Sequence, residues 1–286
     1  MHRRFTLLTS SVSEIHLQQI FALVPSVLSH YLDFSLDILL EVLKNIEEAR
    51  IKLPQSTDEF EDESILIQER HPRLVGAFGS IDGLSLPVQV SDDVEIENAT
   101  YNGRKTEHRI NNILAFSPRG VIIDVVLNAP GSWHDAHVTK PIFDCLHTHV
   151  PEGYYLVSDT AFPHSTSSIS GKIKAPLKAG EHVPSDPAEQ AELLAFNHQL
   201  LSYQQTPEWG MRAMQGSFGR LWIPLPIGSK EDHFRLLEIC CRLFNIRANC
   251  VGINQIKSVY MPVWCAGEDE RMWNDMGNML FGEIRK

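Results

Sequence analysis

The hydrophobic pattern of the first 50 residues is helical. After Pro25-Ser26, a pair typical of a helix start, apolar side chains recur at steps of three and four residues, which predicts a helix with one mostly apolar face. This stripe consists of Val27, Leu28, Tyr31, Ser35, Ile38, Leu39, Val42 and Leu43. Residues 51–71, which are rich in acidic side chains, are predicted to form a solvated linker.

From Val75 onward the pattern becomes strand-like. Extended segments are predicted over residues 77–90, 112–117 and 120–127, because β-branched and other apolar residues dominate them. Pro118-Arg119-Gly120 predicts a tight turn between the second and third of these strands.

A helix over residues 134–149 and a fourth strand over 154–157 are predicted next. Strands joined by short links, then a helix and a further strand, indicate a mixed sheet with antiparallel hairpins first and a parallel crossover afterwards. The fold class is therefore α/β.

The C-terminal half is predicted to be mainly helical. Residues 160–185 resemble a long surface loop, and helices are expected over 188–203 and 231–250. The predicted core face of the first of these helices is Leu193, Leu194, Phe196, Leu200 and Leu201. The predicted organisation is a helical segment (1–50), the acidic linker (51–71), an α/β domain (72–255) and a weakly patterned tail (256–286).

Composition favours a soluble intracellular protein. The chain has 286 residues, of which 43% are hydrophobic and 21% charged, and these are ordinary values for a globular protein. Five cysteines without a Cys-x-x-Cys motif indicate reduced thiols. No apolar stretch approaches the roughly 18 residues that span a bilayer, so no membrane contact is expected.

Three acidic residues stand in short motifs that predict a metal site. Asp82 lies within an extended run, Asp159 follows a short apolar run, and Glu208 lies in a helix-like stretch. In-line cleavage of a phosphodiester can use two Mg²⁺ ions about 4 Å apart. A few carboxylates together with the substrate phosphate supply the hard oxygen ligands that these ions require.

Six motifs in one order resemble a known family. They are Gly79-Ser80-Ile81-Asp82-Gly83, Tyr101-Asn102-Gly103-Arg104-Lys105, Pro130-Gly131-Ser132-Trp133-His134-Asp135, Ser158-Asp159-Thr160-Ala161-Phe162-Pro163, Glu208-Trp209-Gly210-Met211 and Gln215-Gly216-Ser217-Phe218-Gly219-Arg220-Leu221. This series, over roughly residues 70–250, resembles the DDE-type transposase domain of the PIF/Harbinger superfamily and its domesticated nuclease relatives.

The resemblance implies an RNase H-like mixed sheet flanked by helices and preceded by a small N-terminal helical segment. It implies that Asp82, Asp159 and Glu208 hold two Mg²⁺ or Mn²⁺ ions for cleavage and transfer of DNA strands. In this family a separate Myb-like protein commonly supplies DNA binding and nuclear entry, so a nuclear location through such a partner is expected. A homo-oligomer and a cytoplasmic fraction are left open.

Each of the three acidic residues has an ordinary structural alternative. Asp82-Gly83 is also a common turn pair, and Asp159 is also suited to a helix cap. Pro207 is tolerated only in the first turn of a helix, so it either starts a new helix or turns Glu208 away from the metal site. The alternative function is therefore a catalytically inactive, domesticated fold that binds a partner.

A weaker alternative is a phosphohydrolase with a His-Asp metal site. Trp133-His134-Asp135-Ala136-His137 supplies the residue types, but the segment follows strands, whereas such enzymes are mainly helical. Asp135 is expected to support the site or to begin a helix, and it is a further candidate metal ligand.

Basic residues near these motifs are candidate DNA contacts, since phosphates are bound mainly by Lys and Arg. They are Arg104, Lys105, Arg109, Lys172, Lys174, Arg212 and Arg220. The whole chain nevertheless has a net charge of −11, which opposes tight binding to DNA by the protein alone.

The N-terminal helix resembles the end of the helix-turn-helix that precedes this catalytic domain in the family. Asp33, Asp37 and Glu41 make it acidic, and Lys44 is its one firm positive charge. A helix that reads DNA is normally basic, so this segment is predicted to be a structural remnant.

Overall fold

A mixed β-sheet forms the centre of the protein. The computed structural model describes residue 8 and residues 14–160, 162, 171–178, 180–181, 183–226, 230–251 and 255–260. The strands are β1 (Ala77–Pro87), β2 (Tyr101–Asn102), β3 (Glu107–Phe116), β4 (Ile122–Pro130), β5 (Tyr155–Val157) and β6 (Ile173–Lys174).

The strand order confirms the predicted RNase H-like fold. The main path through the sheet is β4-β3-β1-β5-β6, and the short β2 pairs with β3. β3 is antiparallel to both β1 and β4, whereas β5 is parallel to β1 and β6 is parallel to β5. The antiparallel hairpins therefore come first and the parallel crossover follows, as the order of elements predicts.

Helices cover both faces of this sheet. They are α1 (Glu14–Phe21), α2 (Pro25–Lys44), α3 (Thr57–Gln68), α4 (Val94–Thr100), α5 (Asp135–Val138), α6 (Lys140–His149), α7 (Pro187–Tyr203), α8 (Thr206–Ser217), α9 (Lys230–Cys250) and α10 (Gln255–Tyr260). Two 3₁₀ turns occur at Glu47–Ala49 and Gly219–Trp222.

The alternating residues of the strands build a separate core on each face. On one face, Leu114 and Phe116 of β3 belong to the same cluster as Met211 of α8 and Phe244 of α9. On the other face, Ile81 and Ile113 belong to a cluster with Ile142, Phe143 and Leu146 of α6. Burial of each such side chain contributes about 1.5–3 kcal/mol, so the sheet is fixed from both sides.

The predicted acidic linker is largely a helix. Within α3, Phe60 and Ile67 are buried, and the Phe60 ring packs edge-on against Phe78 of β1 with centroids 4.9 Å apart. The side chain of Ser56 caps the helix by accepting a hydrogen bond from Glu59 N. The expectation of a solvated connector was wrong here, because most of the acidic residues of α3 point to solvent while Phe60 and Ile67 are packed, and the largely buried Glu63 pairs with Arg119 at 2.7 Å.

The helix predicted over residues 134–149 is two helices, α5 and α6. Pro141 lies in the first turn of α6, where the missing N–H of proline is tolerated. In the interior of one continuous helix the same proline would remove a hydrogen bond, so α5 ends before it. The predicted core face of α7 was partly wrong, because Leu194 and Leu201 are 48% and 42% exposed whereas Leu200 and Tyr203 are buried.

The start of the predicted tail is a packed helix. Ile256 and Tyr260 of α10 are buried, and the Tyr260 hydroxyl lies 3.3 Å from both His71 Nε2 and Thr206 Oγ1. The rest of the tail, residues 261–286, lies outside the described residues, as do most of residues 161–170 and of the first 13. β6 lies within the segment predicted as a surface loop.

The N-terminal helix α2 is held to α9 by one arginine. Arg235 forms ion pairs with Asp33 at 3.0 Å, with Asp37 at 2.6 Å and with Asp232 at 2.7 Å. Asp33 and Asp37, two of the acidic residues that make α2 unlike a DNA-binding helix, thus pair with α9.

Only part of the apolar stripe predicted on α2 is buried. Leu28, Ser35 and Leu43 are buried, but Tyr31 and Val42 are at least half exposed. Within the described residues, no single helix is long and apolar enough to cross a membrane, and one bent pair, Ile15–Phe21 with Pro25–Lys44, meets that test by length and composition alone.

Candidate functional site

Asp82 and Asp159 lie at the same level of the sheet, just beyond the last residues that pair β1 with β5. The parallel register of β1 and β5 aligns Ser80 with Val157, and each aspartate follows its aligned residue by two positions. Both side chains are half-buried, and both line one cavity of about 550 Å³. The structure therefore brings together two of the three predicted carboxylates.

Strand alternation places Asp82 on the face that α8 covers. Leu84 and Leu86, which follow at steps of two, belong to the core beneath α8 and α9, and so does Val157 on β5. Asp82 Oδ1 accepts a hydrogen bond from Gly83 N at 2.7 Å. The Asp82 side chain therefore lies at the boundary between the packed core and the cavity.

Glu208 lies in the first turn of α8, over the same face. The preceding Pro207 is buried and lies at the start of the helix, so it begins α8 rather than breaking it. The Glu208 side chain is 53% exposed, and its Oε2 accepts a hydrogen bond from Arg212 Nη2 at 3.4 Å. Glu208 is not among the residues that line the cavity of Asp82 and Asp159.

The three carboxylates do not form a closed metal-binding group. Among the residues that the structure describes, no three His, Cys, Asp or Glu side chains are grouped so that they could hold a metal ion. Asp82 and Asp159 nevertheless offer two carboxylates in one cavity, a donor set that suits Mg²⁺ or Mn²⁺ when water and phosphate supply the other ligands. The assignment of Glu208 as a third ligand stays a prediction.

Three asparagines, which the sequence does not single out as site residues, shape the cavity wall. Asn112 is buried, donates to Leu84 O at 3.0 Å and accepts from Asn128 N at 2.8 Å, so it joins β1 to the bulge in β4. Asn111 Nδ2 donates to Trp133 O at 3.1 Å. Asn102 Nδ2 donates to Gly131 O at 3.0 Å.

Of the predicted DNA contacts, Arg104 and Lys105 lie at this cavity. Both residues are exposed, and both backbone N–H groups donate to Asn102 Oδ1 at 3.1 Å, which fixes the turn that carries them. Their cationic side chains stand at the rim of the cavity that holds Asp82 and Asp159.

Arg109 serves instead as an internal brace. Its guanidinium donates to Ser85 Oγ at 2.9 Å and to Ser85 O at 2.5 Å, and it pairs with Glu107 at 2.6 Å. These bonds join β3 to β1, and the side chain is only 15% exposed.

Two of the predicted lysine contacts are also used within the protein. Lys172 Nζ donates to Val150 O at 2.6 Å and to Pro151 O at 2.8 Å, and Lys174 Nζ lies 3.9 Å from the centre of the Tyr155 ring. Burial lowers the pKa of both amines from the ordinary value.

Arg212 and Arg220, the last two predicted contacts, differ in exposure. Arg212 is 75% exposed beside Glu208, whereas Arg220 is buried. Arg212 therefore joins Arg104 and Lys105 as the predicted contacts that face solvent near the candidate site.

The His-Asp segment lies next to the same cavity. His134 lines it, and the Trp133 ring packs edge-on against His137 with centroids 4.5 Å apart. Asp135 begins α5, but its side chain lies outside what the structure describes. Trp133 and His134 are among the residues that line the cavity.

Comparison with known proteins agrees with the fold. A model of the DDE superfamily endonucleases matches residues 81–245, which begin within β1 and end within α9. The chain belongs to the DDE superfamily endonucleases. Members of this superfamily generally use divalent metal ions.

The DDE endonuclease match extends to a curated relative. The chain is 26% identical over 176 residues to a rat (Rattus norvegicus) protein named "Putative nuclease HARBI1". The matched part is 60% of this chain and 46% of that protein, so the chain spans about half of the relative's length. No solved structure matches the chain.

Proposed function

We propose that this DDE endonuclease is a divalent-metal-dependent DNA nuclease of transposase type. The observation that carries the proposal is the position of Asp82 and Asp159, which lie at one level, Asp82 within β1 and Asp159 just after the parallel strand β5, and which line one cavity with Arg104 and Lys105. The cavity thus combines carboxylates for cations with cationic side chains for phosphates, which is what cleavage of a nucleic acid requires.

We assign the residues the roles that the family resemblance implies. Asp82 and Asp159 would hold one divalent ion, and Asp82 with Glu208 would hold a second. Ions bound there would supply Lewis-acid stabilisation of the attacking and leaving oxygens, with water as nucleophile for nicking or a DNA 3′-hydroxyl for strand transfer. Arg104 and Lys105 would bind the phosphates that flank the scissile bond and orient the strand.

The asparagines keep this arrangement rigid. Because Asn112 joins β1 to β4 and Asn111 holds the backbone of Trp133, the cavity wall is fixed before a substrate arrives. Preorganised positions lower the cost of aligning a strand with the catalytic carboxylates.

Nicking of a supercoiled plasmid by the purified protein tests the proposal. Cleavage should require Mg²⁺ or Mn²⁺ and should be lost in Asp82→Asn and Asp159→Asn, because an amide cannot replace an anionic ligand. Asp92→Asn is the matched control, since Asp92 is an exposed acidic residue just after β1 and does not line the cavity. Undiminished cleavage by Asp82→Asn would assign the activity to another site or protein.

A non-catalytic binding protein is the second candidate function. It is favoured by one observation, the hydrogen bond of Glu208 to Arg212, which occupies the third carboxylate. Calorimetric titration with Mn²⁺ separates the two functions. Absence of Mn²⁺ binding and of cleavage, both in the natural protein and in Pro207→Ala, would favour the binding protein.

A further inference from the structure

A second cavity lies beside Glu208, between α8, α9 and α10. Its volume is about 500 Å³, and the residues that line it include Trp209 and Arg212 of α8, Phe244 and Arg247 of α9, and Gln255 of α10. We call it the arginine pocket. It shares no lining residue with the cavity of Asp82 and Asp159.

The charge of the arginine pocket is opposite to that of the whole chain. Two guanidinium groups and no carboxylate are among its described lining residues, although the protein has 36 acidic and 25 basic residues. Isolated positive charge in a concave surface attracts anions. Trp209 and Phe244 add apolar wall, against which a sugar or base can lie.

Arg247 is held in place by α8. Its Nη1 donates to Ser217 Oγ, and that hydroxyl in turn donates to Ala213 O at 2.7 Å. A guanidinium has five N–H donors, and within the described part of the chain Arg247 uses one of them. The other N–H donors have no partner among the described residues, and a ligand in the pocket can accept hydrogen bonds from them.

Arg212 joins the arginine pocket to the candidate catalytic carboxylate. Its one hydrogen bond within the described residues is to Glu208, at 3.4 Å, and the two side chains are 75% and 53% exposed. Exposed pairs of this kind are weak, so a phosphate that offers Arg212 a bidentate partner can displace the carboxylate.

We propose that the arginine pocket binds a backbone phosphate of DNA through Arg212 and Arg247, and that its occupation releases Glu208 toward the Asp82–Asp159 cavity. This inference rests on the proposed nuclease function, since it names a further contact with the same substrate. Binding of the strand would complete the site.

DNA binding in EDTA tests the pocket separately from cleavage. Fluorescence anisotropy with a labelled duplex oligonucleotide, over a series of salt concentrations, should show weaker binding by Arg247→Ala and by Arg212→Ala/Arg247→Ala. A plot of log K against log salt concentration has a negative slope. Each lost phosphate contact should make this slope shallower by about 0.9. Arg73→Ala is the matched control, because Arg73 also forms an exposed ion pair, with Glu192, away from the pocket.

The two proposals fail in different ways. Wild-type affinity and salt slope in the double variant, or no measurable binding by the natural protein at low salt, would overturn the pocket whatever the cleavage assay shows. Reduced binding in the double variant, with no plasmid cleavage by the natural protein, would support the pocket and contradict the nuclease.

The release of Glu208 has its own test. Glu208→Gln removes the competing carboxylate, so it should tighten DNA binding by up to about fivefold, the strength of an exposed ion pair. The gain should be absent when Arg212 is already alanine, as a double-mutant cycle measures. An equal gain in the Arg212→Ala background would be a general charge effect and would overturn the release.

Discussion

The backbone of Gly210 lies against the ring of Phe116, so that a β-carbon at position 210 would be only 2.6 Å from Phe116 Cε1. Phe116 ends β3 and is aligned with Ser80 of β1. This contact therefore sets the height of α8 above the sheet, two residues after Glu208, and with it the position of that carboxylate.

Gly210→Ala should lower both stability and activity. The added methyl group must push α8 away from β3, and overpacking of this kind costs about 1–3 kcal/mol. Urea unfolding and plasmid nicking measure the two effects. Gly216→Ala in the same helix is the control: nothing lies within 4 Å of its β-carbon, so it should be neutral or stabilising by up to about 1 kcal/mol. Equal losses in both variants would contradict the packing argument.

The sheet could be predicted from sequence because it depends on short-range patterns. Runs of apolar and β-branched residues indicated β1, β3 and β4, and the family resemblance implied that Asp82 and Asp159 share one site, which agrees with their position at one cavity. The order of the elements then left few topologies to consider.

Other features depend on neighbours that no local pattern reveals. Phe60, Ser64 and Ile67 have helical spacing, but the acidic residues between them obscured α3. Arg109 and Lys172 have the charge of DNA contacts, but their partners are internal oxygens supplied by Ser85, Val150 and Pro151. The ion pair of Glu208 with Arg212 could not be predicted from sequence either. A separation of four residues in a helix allows such a pair but does not require it.

Gly131→Ala should damage the cavity of Asp82 and Asp159. A β-carbon at this position would lie 2.6 Å from Thr100 O, so the backbone that accepts a hydrogen bond from Asn102 must move. We expect at least a tenfold loss of nicking, since small displacements at a catalytic site are costly, by about 100-fold for 1 Å. Gly103→Ala, in the neighbouring turn with nothing within 4 Å of its β-carbon, should retain activity. A fully active Gly131→Ala protein would show that this wall is not needed.

His71 should make the protein less stable in mild acid. Burial lowers the pKa of His71 to about 4, whereas in the unfolded chain it is about 6.5. Between these values the unfolded state binds more protons, so the free energy of unfolding falls as the pH drops from about 6.5 toward 4, by up to about 3 kcal/mol. His71→Gln cannot titrate, and urea unfolding at pH 5 and pH 7 should show a smaller pH dependence for it. The same dependence in both proteins would rule out His71 as the cause.

Asp124 should have the opposite effect on pH dependence. Burial raises the pKa of its carboxyl group to about 6, and its Oδ2 has no hydrogen-bond partner among the described residues. The folded state therefore binds more protons between about pH 4 and 6, and this contribution to stability is lost as the pH rises through that range. Asp124→Asn should stabilise the protein by about 1–2 kcal/mol at pH 7.5, where the buried charge is removed, and by little at pH 4. Thermal unfolding at the two pH values measures this, and an equal effect at both would exclude the charge as its origin.

The isolated protein should bind DNA weakly, and with little sequence preference, at physiological salt. Its net charge is −11, α2 directs Asp33 and Asp37 to Arg235, and Lys172 and Lys174 are used in internal contacts. Among the described residues, Arg104, Lys105, Arg212 and Arg247 line the two cavities, and four cations can neutralise only a few phosphates. We expect a Kd in the micromolar range near 150 mM salt, on the order of non-specific binding, and little difference between unrelated duplexes.

A basic partner of the Myb-like kind should both tighten binding and make it selective, by supplying the base contacts that α2 lacks. Nanomolar, sequence-selective binding by this chain alone, measured by anisotropy against competitor DNA, would show that these few cations suffice and that no helper is required.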